Sequence, residues 1–169
     1  FSYAYECTDQ IDQLSKEYEI RILCKQSSQK FISYWTITGD SPSQGNLDSF
    51  YPFLEKFFKS YPRQFLKNHI QNIFLLEDLR LDNMPVGGLS NGSDLWIKVK
   101  TYYGEYRNFN SIVLHHEFSS NILKKNYKNV KKWSAFSENF YGTDRDRLLG
   151  DYDYSRGSSH LIHLQGFVY

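Results

Sequence analysis

The segment Ile112-Val113-Leu114-His115-His116-Glu117-Phe118-Ser119-Ser120-Asn121-Ile122-Leu123 sets two imidazoles and one carboxylate side by side. These residue types can hold a divalent metal and move a proton. In a His-Glu-x-x-His helix the two histidines lie one turn apart and grip zinc, while the glutamate takes a proton from the bound water. Here His116 supplies the first ligand and Glu117 the base. Ser120 occupies the position of the second ligand, and a neutral hydroxyl is a poor zinc donor.

At about 100° per residue, Ile112, Leu114, Phe118, Ile122 and Leu123 share one apolar arc. His115 falls inside that arc, which predicts a buried imidazole bonded to backbone or to a neighbouring side chain, with metal binding as the alternative. His116, Glu117 and Ser120 fall outside it. Further donors could come from His160 and His163, an i, i+3 pair that converges on a helix but diverges on a strand. Their alternative is a surface or packing role, and His69 is read as an ordinary surface or half-buried histidine.

The elements that must position these groups mix helix and strand. Thr8 or Asp9 caps a helix reaching Tyr18, and Ile11 and Leu14 mark its buried side. Residues 19–25 and 31–38 are β-branched and aromatic, which predicts two strands joined by a polar turn at 26–30. A loop is expected at 39–46. Phe50, Phe53, Leu54, Phe57 and Phe58 then recur at helical spacing over 47–60, with Pro52 in the first turn of that helix. Pro62 opens a short helix to His69, followed by strands at 73–76 and 94–100. Gly87-Gly88 lacks the Lys-Ser/Thr pair of a phosphate loop and predicts a turn or a close backbone approach along a sheet edge. The histidine helix is expected over 110–127, capped by Asn110 or Ser111, with a short helix at 134–140 beyond it. Without a regular βαβ alternation, this order predicts an α+β fold with a mainly antiparallel sheet.

His115-His116-Glu117-Phe118 on an apolar helix resembles the start of the metal-binding helix in zinc-binding metallopeptidases of the zincin type. These are known chiefly as secreted or lipid-anchored bacterial proteins. The preceding order of a helix, strands, a glycine-containing edge segment at 86–91 and a strand before the helix is similar to the N-terminal lobe of that family. The closing Gly166-Phe167-Val168-Tyr169 resembles a segment that precedes a downstream acidic stretch there. The resemblance implies a zincin-like domain over 1–169 with a twisted, mainly antiparallel sheet, a zinc cofactor held partly by His116, and Glu117 as general base. It also implies a peptide or protein substrate and an extracytoplasmic location, whether periplasmic, at the cell surface or secreted, with any lipid anchor outside 1–169. Ser120 departs from the pattern. The alternative is therefore a catalytically inactive zincin-like protein that binds a protein or glycan.

Composition narrows the classes further. Twenty basic and 19 acidic residues give a net charge of +1, too small a footprint for nucleic-acid binding. The basic run at 124–132 follows the apolar part of the histidine helix, where cations complement the helix dipole. No run approaches the roughly 20 apolar residues of a membrane span. Cys7 and Cys24 are too few for a disulfide scaffold and lack zinc-knuckle or redox spacing, so they form either one bridge or two buried thiols. Asp144-Arg145-Asp146 and Asp151-Tyr152-Asp153 lack the glycine and distal glutamate of a calcium loop. A start at Phe1 predicts a processed chain, and an apolar end at Tyr169 predicts continuation of the native protein.

Overall fold

A computed structural model of the chain describes residues 7–25, 27–31, 35–101 and 108–125. All lie in the compact unit Phe1–Lys125. The expectations for His160, His163, the short helix at 134–140, the acidic pairs at 144–153 and the C-terminal segment fall outside the described residues.

Four helices and seven strands form an α+β unit among the described residues. The helices are α1 (Asp9–Tyr18), α2 (Gln44–Lys59), α3 (Arg63–His69) and α4 (Phe109–Lys125). The strands are β1 (Arg21–Leu23), β2 (Ser27–Phe31), β3 (Trp35–Asp40), β4 (Asn72–Leu81), β5 (Met84–Pro85), β6 (Gly88–Ser90) and β7 (Asp94–Lys98). Thr8 caps α1 by accepting from the Ile11 amide, and Ser43 caps α2 by accepting from the Asn46 amide. These bonds satisfy donors that a helix start leaves without an internal partner.

The sheet runs β2-β3-β4-β7-β6, with β1 and β5 also paired to β4. It is mixed. β4 pairs in parallel with β1 and β7, while the β2/β3, β3/β4, β4/β5 and β6/β7 pairings are antiparallel. β4 therefore serves two halves of the sheet, its first residues joining β1 and β7 and its last joining β3 and β5. The register against β3 shifts between Thr38 and Asp40, and Asp78 takes a left-handed φ of 48° opposite that shift. Such an irregularity bends a strand locally.

Several local expectations are corrected. Residues 27–30, within the polar turn expected at 26–30, belong to β2, which pairs with β3 from Ser27–Gly39 to Phe31–Trp35. β2 ends the sheet path and wears mostly polar side chains, so its strand character comes from backbone pairing and leaves little mark in hydrophobicity. α2 starts at Gln44, inside the expected loop, which puts Pro52 in the helix interior. Pro52 itself is exposed, and it leaves the carbonyl one turn earlier without its helical N–H partner. β4 extends through Leu81, well past the expected strand.

Alternating side chains along the strands feed two apolar layers. On one face Ile22, Ile73, Leu75, Leu95 and Ile97 pack with the helices through Ile11, Leu54, Phe57, Phe58, Leu114 and Phe118. On the other, Phe31, Leu76, Leu89 and Trp96 gather, with Phe74 stacked on Trp96 at 5.2 Å and 4° between planes. Cys7 and Cys24, both buried, form a disulfide that ties the segment before α1 to the end of β1. A bridge closing a loop of this size stabilises a fold by about 3 kcal/mol.

Candidate functional site

α4 brings the histidine segment beneath the end strand β6. Its buried arc is not the apolar arc expected from the wheel. Asn110, Leu114, Glu117, Phe118, Ser120 and Asn121 are buried, whereas Ile112 is 47% exposed. Leu114 and Phe118 form the apolar centre, and polar residues complete the arc. The polar members have work to do at backbone groups. Asn110 Nδ2 donates to the Lys100 carbonyl at 2.9 Å, so Asn110 is a residue of the helix fastening the incoming chain, not its cap. Asn121 Oδ1 accepts from the Gly92 amide at 2.8 Å, and its Nδ2 donates to the His69 carbonyl at 3.3 Å. Burial of these amides is tolerated because their polar atoms are bonded.

His115 and Glu117 look in different directions from the helix. The His115 ring lies among Phe57 at 5.3 Å and Tyr61 at 5.6 Å, and its Nδ1 is 2.7 Å from the Tyr61 hydroxyl. Burial, and secondarily the Lys56 charge, holds its pKa below the ordinary imidazole value. Burial disfavours the imidazolium. The neutral ring either accepts from or donates to Tyr61, according to its tautomer.

Glu117, 5% exposed, turns instead toward β6. A Cβ placed on Gly88 would lie 2.8 Å from Glu117 Cγ, 2.8 Å from Val113 Cγ1 and 3.1 Å from Glu117 Oε1. Glycine is required here for approach and not for dihedral freedom. The expected close backbone contact at Gly87-Gly88 is thus a contact with the carboxylate itself. Gly88→Ala is accordingly expected to destabilise the protein by about 1–3 kcal/mol through overpacking. Urea unfolding measures it, and Gly45→Ala is the control, since nothing lies within 4 Å of a Cβ there.

His116 Nε2 is 3.8 Å from Glu117 Oε1, close enough for charge attraction when the ring is protonated but beyond hydrogen-bond length. The His116 side chain is 23% exposed and that of Glu117 6%, so the pair joins a solvent-reachable imidazole to an enclosed carboxylate. Ser120 is buried one turn beyond His116. Among the described residues no group of three His, Cys, Asp or Glu side chains is placed to hold a metal ion. His116 and Glu117 therefore set one imidazole beside one carboxylate, fewer donors than a closed zinc site takes.

Tyr61 and Asn121 entered this surrounding without being singled out in the sequence, and Asn110 was read only as a candidate cap. Asn110, Leu114, Glu117, Phe118 and Asn121 do recur at helical spacing, a signal that appears once polar residues are allowed on a buried arc. Comparison with protein-family models, with curated proteins and with solved structures finds no match to this chain.

Proposed function

We propose that the chain carries the water-activating part of a zincin-like, zinc-dependent peptidase. The observation that carries this reading is the buried Glu117 carboxylate pressed beneath Gly88 of end strand β6, with His116 beside it. An end strand can accept an extended peptide by main-chain hydrogen bonding. A carbonyl laid along β6 would pass near Glu117, which then accepts the proton of the attacking water, while His116 offers a ring nitrogen as a ligand. Bound zinc would supply polarisation of the carbonyl and a more acidic water. The sequence's candidates for further donors are His160 and His163, which lie outside the described residues, and His115 if it leaves Tyr61. The Cys7–Cys24 disulfide accords with an extracytoplasmic location. Among the described residues no helix is long and apolar enough to cross a membrane.

A second reading has its own observation. Ser120, buried where a second ligand would sit, favours a protein that keeps this fold and binds a peptide, protein or glycan without hydrolysing it. Metal content separates the two. Elemental analysis after dialysis against trace zinc is expected to find stoichiometric metal that is lost in His116→Ala and reduced in either His160→Ala or His163→Ala. Metal-free protein would remove the peptidase reading and leave the second.

A further inference from the structure

We infer that Asn121 is a positioning residue that holds end strand β6 down on Glu117, an inference resting on the proposed role of that carboxylate. Asn121 has no exposed surface, and its amide joins three elements. Its Oδ1 takes the Gly92 amide in the turn between β6 and β7, and its Nδ2 reaches the carbonyl of His69, the last residue of α3. A helix end leaves such carbonyls without an internal partner, so this bond fixes α4 against α3 while the other fixes the turn against α4.

The turn is built to present that amide. Gly92 has φ 104°, a conformation open to glycine, and Asn91 Oδ1 accepts from the amides of Ser93 at 3.0 Å and Asp94 at 2.7 Å. At the start of β6, Gly88 lies against Val113 and Glu117; just past the strand's end, the Gly92 amide bonds Asn121. Helix and strand therefore run together between two points of contact. The Asn121 point can be loosened without altering Glu117 or the strand itself.

Both bonds require one acceptor and one donor. Asn121→Ala removes both. Asn121→Asp keeps both while its carboxyl is protonated, then loses the donor and sets a negative charge against the His69 carbonyl when it ionises. A purely space-filling role would not distinguish these states, because the two forms have the same shape.

Amide hydrogen exchange on the full chain tests this, expressed as protection factors so that the intrinsic pH dependence cancels. In Asn121→Ala, amides at 88–92 are expected to lose protection about 10-fold or more relative to those of β1 and the first half of β4, a factor of 10 corresponding to about 1.4 kcal/mol. In Asn121→Asp, protection at 88–92 returns as the pH is lowered. Peptide hydrolysis by Asn121→Asp should rise and fall with that protection while the unaltered protein shows no such coupling. Uniform loss across the sheet, unchanged protection at 88–92, or an Asn121→Asp variant that behaves as Asn121→Ala at every pH would overturn the inference. So would hydrolysis that ignores the protection change. If the unaltered protein hydrolyses nothing, the role of Glu117 falls, and the exchange pattern still decides whether Asn121 holds the strand.

Discussion

Glu117→Gln is expected to lower peptide hydrolysis by about 10²–10⁴-fold while leaving the fold intact. Glutamine has the size and shape of glutamate, so the close approach to Gly88 is retained. What disappears is the ability to accept a proton. The change also removes an enclosed ionisable group, since the Glu117 side chain is 6% exposed. Burying a carboxylate costs free energy that pairing only partly returns, so the thermal midpoint should stay level or rise. Lost activity with undiminished stability marks a group retained for chemistry. A marked fall in stability would instead make Glu117 a structural residue whose carboxylate the fold needs, and the peptidase reading would lose its base. Initial rates on an extended peptide, measured beside a thermal melt of the same preparation, give both quantities.

Phe57→Ala carries the largest expected cost to the fold, about 3–5 kcal/mol. Phe57 is 1% exposed, and its ring meets four others edge on: Phe58 at 5.7 Å, Tyr61 at 5.5 Å, His115 at 5.3 Å and Phe118 at 5.5 Å. Truncation would open a cavity at the junction of α2 and α4 that rigid rings cannot easily refill. Edge-to-face pairs contribute beyond the area they bury, so several small terms vanish together. The cost is large against a usual domain stability of roughly 5–15 kcal/mol. It also reaches the site, because His115 and Tyr61 would lose the ring that fixes their 2.7 Å contact. Met84→Ala is the control: Met84 is 52% exposed, and its change should stay within about 0.5 kcal/mol. Equal urea midpoints for the two variants would show that this aromatic junction adds little.

The sequence by itself determined the elements whose side chains carry a strong period. The stripe of Phe50, Leu54, Phe57 and Phe58 marked α2, and Thr8 or Asp9 marked the start of α1, which Thr8 caps, because amphipathic spacing and caps are local properties. The helix around His116 was legible for the same reason, beginning at Phe109 against an expected start at 110. β2 was not, since a polar end strand is specified by pairing with β3 and not by its own side chains. Nor was the buried side of α4. Hydrophobicity selected Ile112 for the interior and excluded Glu117, whereas the structure exposes Ile112 and buries Glu117, Asn110 and Asn121.

That reversal has a physical cause. A buried polar side chain is stable only where a distant partner meets it, and those partners, the Lys100 carbonyl for Asn110 and the Gly92 amide and His69 carbonyl for Asn121, arrive through the tertiary fold. The closeness of Gly88 to Glu117 likewise depends on β6 crossing α4, a long-range placement that no local pattern encodes. The sequence therefore determined which residues have chemistry to offer, His116 and Glu117 above all. Only the tertiary structure decided that the carboxylate would be enclosed beneath an end strand while His115 turned away to Tyr61, because side-chain direction follows from what packs on each flank of the helix.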